Sequence, residues 1–257
     1  MIYAAFALWF FIILFMAVGV RALWARLVKP VWVAWALLPG TIVSEMAFIL
    51  GSLITGGEIR HAKILPSSGN EGDTEAQAEP RLKIIGPTIA SILAVAACCG
   101  GIIVSHQLLG QPFIREFIFP NELPLSAVPK SLPTTGGAFW DMLAEQARLL
   151  QRMSNTIVSV DWLNWRVPLF VYLTICFSLR LCPGRRDLRF TLLAVLVLTA
   201  LIGLAGVFLP SLGDLMGQFW PLLTYIWTLV LYLLAVSLVI WGAVALVGVL
   251  RGRSVAS

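Results

Sequence analysis

Several runs of this sequence are too long and too apolar to belong anywhere but inside a bilayer or a very large core. A helix needs about 20 residues to cross the ~30 Å of hydrocarbon in a membrane. Six runs come near or exceed that length: Ile2 to Ala22, Val31 to Thr55, Ile84 to Leu109, Val167 to Leu181, Phe190 to Leu209 and Trp220 to Leu250. Of 257 residues, 59% are hydrophobic and 12% charged, and mean hydropathy is +0.91. Soluble chains carry about twice that share of charge. The ~10-residue alternating strands of a membrane barrel are missing. The expected fold is therefore all-α, a polytopic membrane protein with about six transmembrane helices.

The polar stretches divide the chain. Residues 1–110 hold spans one to three, with a flexible polar loop at 56–83. Its middle, PSSGNEGDTEAQAEP, has too few apolar side chains to offset the entropy of ordering. Residues 111–165 form an extramembrane segment. It opens irregularly, with Pro112, Pro120, Pro124, Pro129 and Pro133, and then reads as an amphipathic helix from Thr135 to about Val158. Residues 166–257 hold spans four to six and a short basic tail. Span two is expected to be interrupted at Pro39-Gly40. Span six, longer than a bilayer requires, is expected to tilt, kink or project.

The net charge of +5 falls at span ends and in loops, and it reads as membrane topology and lipid contact rather than nucleic-acid binding. The tight link around Arg185 and Arg186, and the pair Arg251 and Arg253, are short and basic. The positive-inside rule then puts both termini in the cytoplasm. Arg21, Arg26 and Lys29 argue the other way. The membrane expected is a bacterial inner (plasma) membrane. The four cysteines, Cys98, Cys99, Cys176 and Cys182, form no C-x-x-C pair, and the three inside apolar runs read as small hydrophobes.

One stretch carries chemistry. Leu38 to Gly57, LPGTIVSEMAFILGSLITGG, is apolar enough for a bilayer yet contains Glu45. A carboxyl group at the centre of a span costs about 2.5–3.5 kcal/mol on insertion scales, so it is a site candidate by default. The stretch resembles the first core helix of the site-2-protease-type zinc metallopeptidases, where a Pro-Gly entry leads into His-Glu-x-x-His. A catalytic zinc needs two histidines one turn apart, a third ligand and a general base. Glu45 matches the base, but Ser44 and Phe48 stand where the two histidines would be. The resemblance extends to Gly56-Gly57-Glu58-Ile59, to Gly86-Pro87 at the start of span three, and to Ser178 through Leu188. In that last piece Asp187 matches the third metal ligand of some members. The resemblance implies a three-helix core of spans two to four, and it implies a remnant motif of Ser44, Glu45, Phe48 and Asp187 without the metal.

Each of these residues also has an ordinary structural role open to it. Glu45 can be a hydrogen-bonded packing group, Asp187 a helix cap beside Arg185 and Arg186, and His106 a packing residue. Glu45 and His106 are the possible binding residues. No metal or cofactor is expected, and the chain is not expected to be an enzyme. The first functional expectation is a non-catalytic membrane subunit, a degenerate metallopeptidase-like scaffold. Its partners would be membrane lipids and other membrane protein subunits. The alternatives are a transport or channel subunit using Glu45 as an intramembrane proton or ion group, and a membrane metallopeptidase with unconventional ligands.

Overall fold

A computed structural model describes residues 2–61, 77–79, 85–118, 136–181, 188–208 and 211–250. Helices dominate: α1 (Ile2–Leu27), α2 (Pro30–Ala36), α3 (Leu38–Ile54), α4 (Ile85–Ser105), α5 (Gln111–Ile118), α6 (Gly136–Ser159), α7 (Arg166–Arg180), α8 (Leu188–Phe208) and α9 (Ser211–Leu250). Two short strands, β1 (Glu58–His61) and β2 (Gln77–Glu79), pair antiparallel, with Glu58 opposite Glu79 and Ile59 opposite Ala78. The fold class is all-helical, as expected, with this short ribbon the one extended feature among the described residues. The ribbon ties together the two ends of the polar 56–83 segment, and the acidic middle of that segment lies outside the described residues.

Among the described residues three helices are long and apolar enough to cross a membrane: Ala5–Leu27, Ile85–Ile114 and Trp220–Val247. Leu38–Ile54 and Leu192–Leu204 are apolar but shorter. This is the architecture of an integral membrane protein, with three helices of spanning length where six spans were expected.

Two local expectations are corrected. The break in span two falls at Leu37 (φ −96°, ψ 13°), not at Pro39-Gly40. A proline ring clashes with the carbonyl four residues before it, so the helix is disrupted a turn upstream. Pro39 itself sits comfortably in the first turn of α3, where no intrahelical N–H bond is required of it. The second correction concerns residues 111–118, expected to be irregular. Span three instead continues through a π-helical turn, His106–Gly110, into α5. Pro112 is again a first-turn proline, so the boundary drawn at residue 110 falls inside one helical run.

The core has two parts. One is built where α1 meets α9, from Trp9, Ile13, Ala17 and Val20 against Trp220, Leu223, Trp227 and Val230. Trp9 and Trp227 meet edge to face, with centroids 4.6 Å apart. Trp24 Nε1–H donates to Ser237 Oγ at 2.8 Å. A Cβ added at Gly19 would touch Leu234 at 3.5 Å. These contacts pair 9 with 227, 19 with 234 and 24 with 237, so α1 and α9 run in the same direction. Two parallel helices that both cross a bilayer cross it the same way, which puts the start of α1 and the end of α9 on opposite faces. Six crossings with both termini in the cytoplasm do not fit this packing.

The second part gathers Phe113, Phe117, Phe170 and Tyr225 from α5, α7 and α9, with Phe170 and Tyr225 stacked at 5.4 Å. Helix α6 covers this side. It buries Leu149, Met153 and Thr156, spaced by four and three residues as one helical face requires. Trp227 Nε1–H donates across to Gln146 Oε1 and fixes α6 to α9. The amphipathic helix expected from Thr135 to Val158 is thus present almost to the residue, seated on its neighbours.

Candidate functional site

Helices α3, α4 and α7 pack against one another in all three pairings, and α3 against α4 most extensively. Each crossing is close because a glycine stands at it. A Cβ at Gly40 would collide with the Cys176 carbonyl on α7. One at Gly51 would lie 2.6 Å from Ala90 Cα on α4, and one at Gly101 on α4 would lie 2.9 Å from the Phe177 ring on α7. Small residues at such positions let helix backbones approach without side chains between them. At its far end α3 stops in a Schellman turn. Gly56 takes φ 72°, its N–H donates to the Leu53 carbonyl, and the Gly57 N–H donates to the Ser52 carbonyl.

The three helices enclose polar side chains. On α3, Thr41, Ser44, Glu45, Phe48 and Ser52 recur every three or four residues on the inward face, and all are buried. Thr88, Ser91 and Cys98 are buried on α4, and on α7 Cys176 and Arg180 turn toward α3, where both lie against Gly40. Thr174 and Ser178, buried on the opposite side of α7, do not share that face, and Thr174 lies beside Tyr225 of α9. Thr41 Oγ1 donates to the Leu37 carbonyl at 2.9 Å, and Thr174 Oγ1 to the Phe170 carbonyl at 2.8 Å. These hydroxyls are satisfied by their own helices. The Cys176 thiol reaches the Ala36 carbonyl at 3.4 Å and so joins α7 to the end of α2.

At the centre, the Ser44 hydroxyl and the Cys98 thiol share a hydrogen bond, and Arg180 and Glu45 both lie close enough to act on that thiol electrostatically. Glu45 is 2% exposed and Arg180 3%. An acid and a guanidinium are thus both buried within electrostatic reach of one thiol. Burying two charges is tolerable only when they compensate each other and find hydrogen bonds. The Ser178 hydroxyl, fully buried, has no hydrogen-bond partner among the described residues.

The sequence-derived site residues are distributed as follows. Ser44, Glu45 and Phe48 come together on the buried face of α3. Asp187 lies outside the described residues. His106 opens the π-helical turn that follows α4, eight residues past Cys98 and so roughly 12 Å along the helix at 1.5 Å per residue. It packs against Phe170, with centroids 6.4 Å apart, and its Nδ1 is buried without a hydrogen-bond partner among the described residues. The structure therefore does not bring His106 to Glu45. Among the described residues no three His, Cys, Asp or Glu side chains gather as a metal ion would need. Sequence reasoning passed over Arg180 and Cys98. Arg180 closes an apolar run and reads as an ordinary boundary cation, and a lone cysteine in a span carries no signal of its neighbours.

Fold and site together define a class: a helical membrane protein with a buried polar cluster inside a three-helix core. Compared with protein families, with curated proteins and with solved structures, the chain matches none.

Proposed function

We propose that this chain is a non-catalytic integral membrane subunit, a scaffold whose α3–α4–α7 core is akin to that of the site-2-protease-type metallopeptidases and whose work is to hold another membrane protein. The observation that carries the reading is the position of Glu45. The acid is retained and buried, and its neighbours are Ser44, Phe48, Cys98 and Arg180 rather than nitrogen donors. Phe48 has no lone pair to offer a metal, and a serine hydroxyl is a poor zinc ligand. An acid compensated by a guanidinium would lock helices rather than activate a metal-bound water. Purification in mild detergent tests this reading. A second membrane protein that follows the chain at fixed stoichiometry is the expected result, and a lone monomer under every condition counts against it. Stoichiometric zinc in the purified protein would instead support the metallopeptidase alternative.

One observation favours the transport alternative, namely the buried hydroxyls of Thr41, Ser44 and Ser52, which share the inward face of α3 with Glu45. Ionisable and hydroxyl side chains inside spans mark ion or proton routes in many membrane proteins. Proton flux in proteoliposomes that vanishes in Glu45→Gln would favour it over the scaffold.

A further inference from the structure

The turn between α6 and α7 carries the most exposed large apolar side chain among the described residues. Val160 and Val167, at its two ends, are buried. Between them Leu163 is 97% exposed, and Trp162 and Trp165 are also exposed. The turn holds these side chains outward by a dense set of bonds. Asp161 Oδ1 accepts the Leu163 N–H at 3.0 Å, and Asn164 Oδ1 accepts the Arg166 N–H at 3.3 Å. The Val167 N–H donates to the Asn164 carbonyl at 2.9 Å. Trp162 Nε1–H donates to the Ile157 carbonyl at 2.7 Å. Asx bonds of this kind fix a turn's backbone. A leucine so displayed would be unfavourable in water, because apolar area is costly to hydrate.

We infer that this turn, residues 160–166, is an anchor in the membrane interface, with Trp162, Leu163 and Trp165 set at the boundary between lipid headgroups and acyl chains. Three observations select lipid over a protein partner. The side chains are of the kind found at that boundary, where an indole places an apolar ring inward and a polar N–H toward water. The Arg166 guanidinium lies over the Trp165 ring, 5.8 Å from its centroid, so a cation and an aromatic ring are presented together. And the apolar surface does not stop at the turn. Trp165, Leu169 and Tyr172 follow at spacings of four and three and are all exposed, forming one stripe down α7, as a lipid-facing helix does on leaving the interface. This anchor would also hold α6, and with it the Gln146 contact to the Trp227 indole, at a fixed depth. The inference rests on the membrane-protein class and not on the scaffold reading, so either can fail alone.

The test uses the full chain in phosphatidylcholine vesicles, with Leu163→Cys carrying an environment-sensitive dye. The labelled wild-type chain supplies the background from the native thiols. Blue-shifted emission, quenched by lipid nitroxides placed near the headgroup and resistant to aqueous iodide, is expected. Emission typical of water with strong iodide quenching would overturn the proposal. So would a blue-shifted dye indifferent to both quenchers, which would put protein, a second copy or another chain, over the turn. A label-free measurement guards against a folding artefact. In the double variant Trp162→Phe, Trp165→Phe, tryptophan quenching by lipids brominated near the headgroup should fall. Unchanged quenching would equally overturn the anchor.

Discussion

Glu45 and Arg180 sit on different helices, 135 positions apart by their numbers in the chain, yet both act on one thiol. If they compensate each other, their mutations are not additive. Removing one member of a buried pair leaves an unbalanced charge and costs about 3–5 kcal/mol. Arg180→Met and Glu45→Gln should each lower the unfolding midpoint in detergent. The double variant should recover part of the loss, with a coupling of about 0.5–3 kcal/mol. Additive losses would show that the two groups do not interact. Half of this arrangement was legible beforehand: a carboxylate in an apolar stretch announces itself, and burial of Ser44, Glu45 and Phe48 on one face follows from their spacing. Arg180 was not legible. An arginine closing a span looks the same whether it turns outward to water or inward to an acid, and only the packing of α7 against α3 decides.

Among the elements, α3 is the most constrained, because it is close-packed on two sides and capped by Gly56. Gly51→Val should destabilise the protein by about 1–3 kcal/mol, as over-packing does, because the new side chain meets the backbone of α4 at Ala90. Gly242→Ala in α9 has open space around it and should be neutral or slightly stabilising, by up to about 1 kcal/mol of helix propensity. Gly56→Ala should cost about 1–2 kcal/mol, because its left-handed φ disfavours a Cβ. Thermal or denaturant unfolding of the three variants checks the order. Element boundaries were legible where a periodic pattern and a breaker agreed, as for α6, expected from Thr135 to Val158 and found from Gly136 to Ser159. They were misread at Pro39 and Pro112 for one reason. Proline is compatible with a helix's first turn and acts on the turn before it, so a proline marks a neighbourhood rather than a boundary.

For the molecule as a whole, the parallel union of α1 with α9 sets the topology. Reporters active only on the cytoplasmic side, fused before Ile2 and after Val255 in separate proteins, should give opposite readings. Activity at both ends, or at neither, would show that α1 and α9 do not both cross. The pairing could not be read from the chain, because Trp9 and Trp227 meet through tertiary packing that leaves no local trace in either segment. Helix α9 also exceeds any bilayer. Its 40 residues extend about 60 Å at 1.5 Å each, twice the hydrocarbon thickness, and its last third, beyond Val236, is largely uncovered. The three glycines at the crossings of α3, α4 and α7 have a consequence for ancestry. Hydroxyls, thiols and even the acid inside that trio could drift between lineages while the shape survived. A methyl at position 40 or 51 would meet the backbone of the neighbouring rod, and one at 101 would meet the Phe177 ring. Kin of this protein should be sought by the interval between those three absences of a side chain.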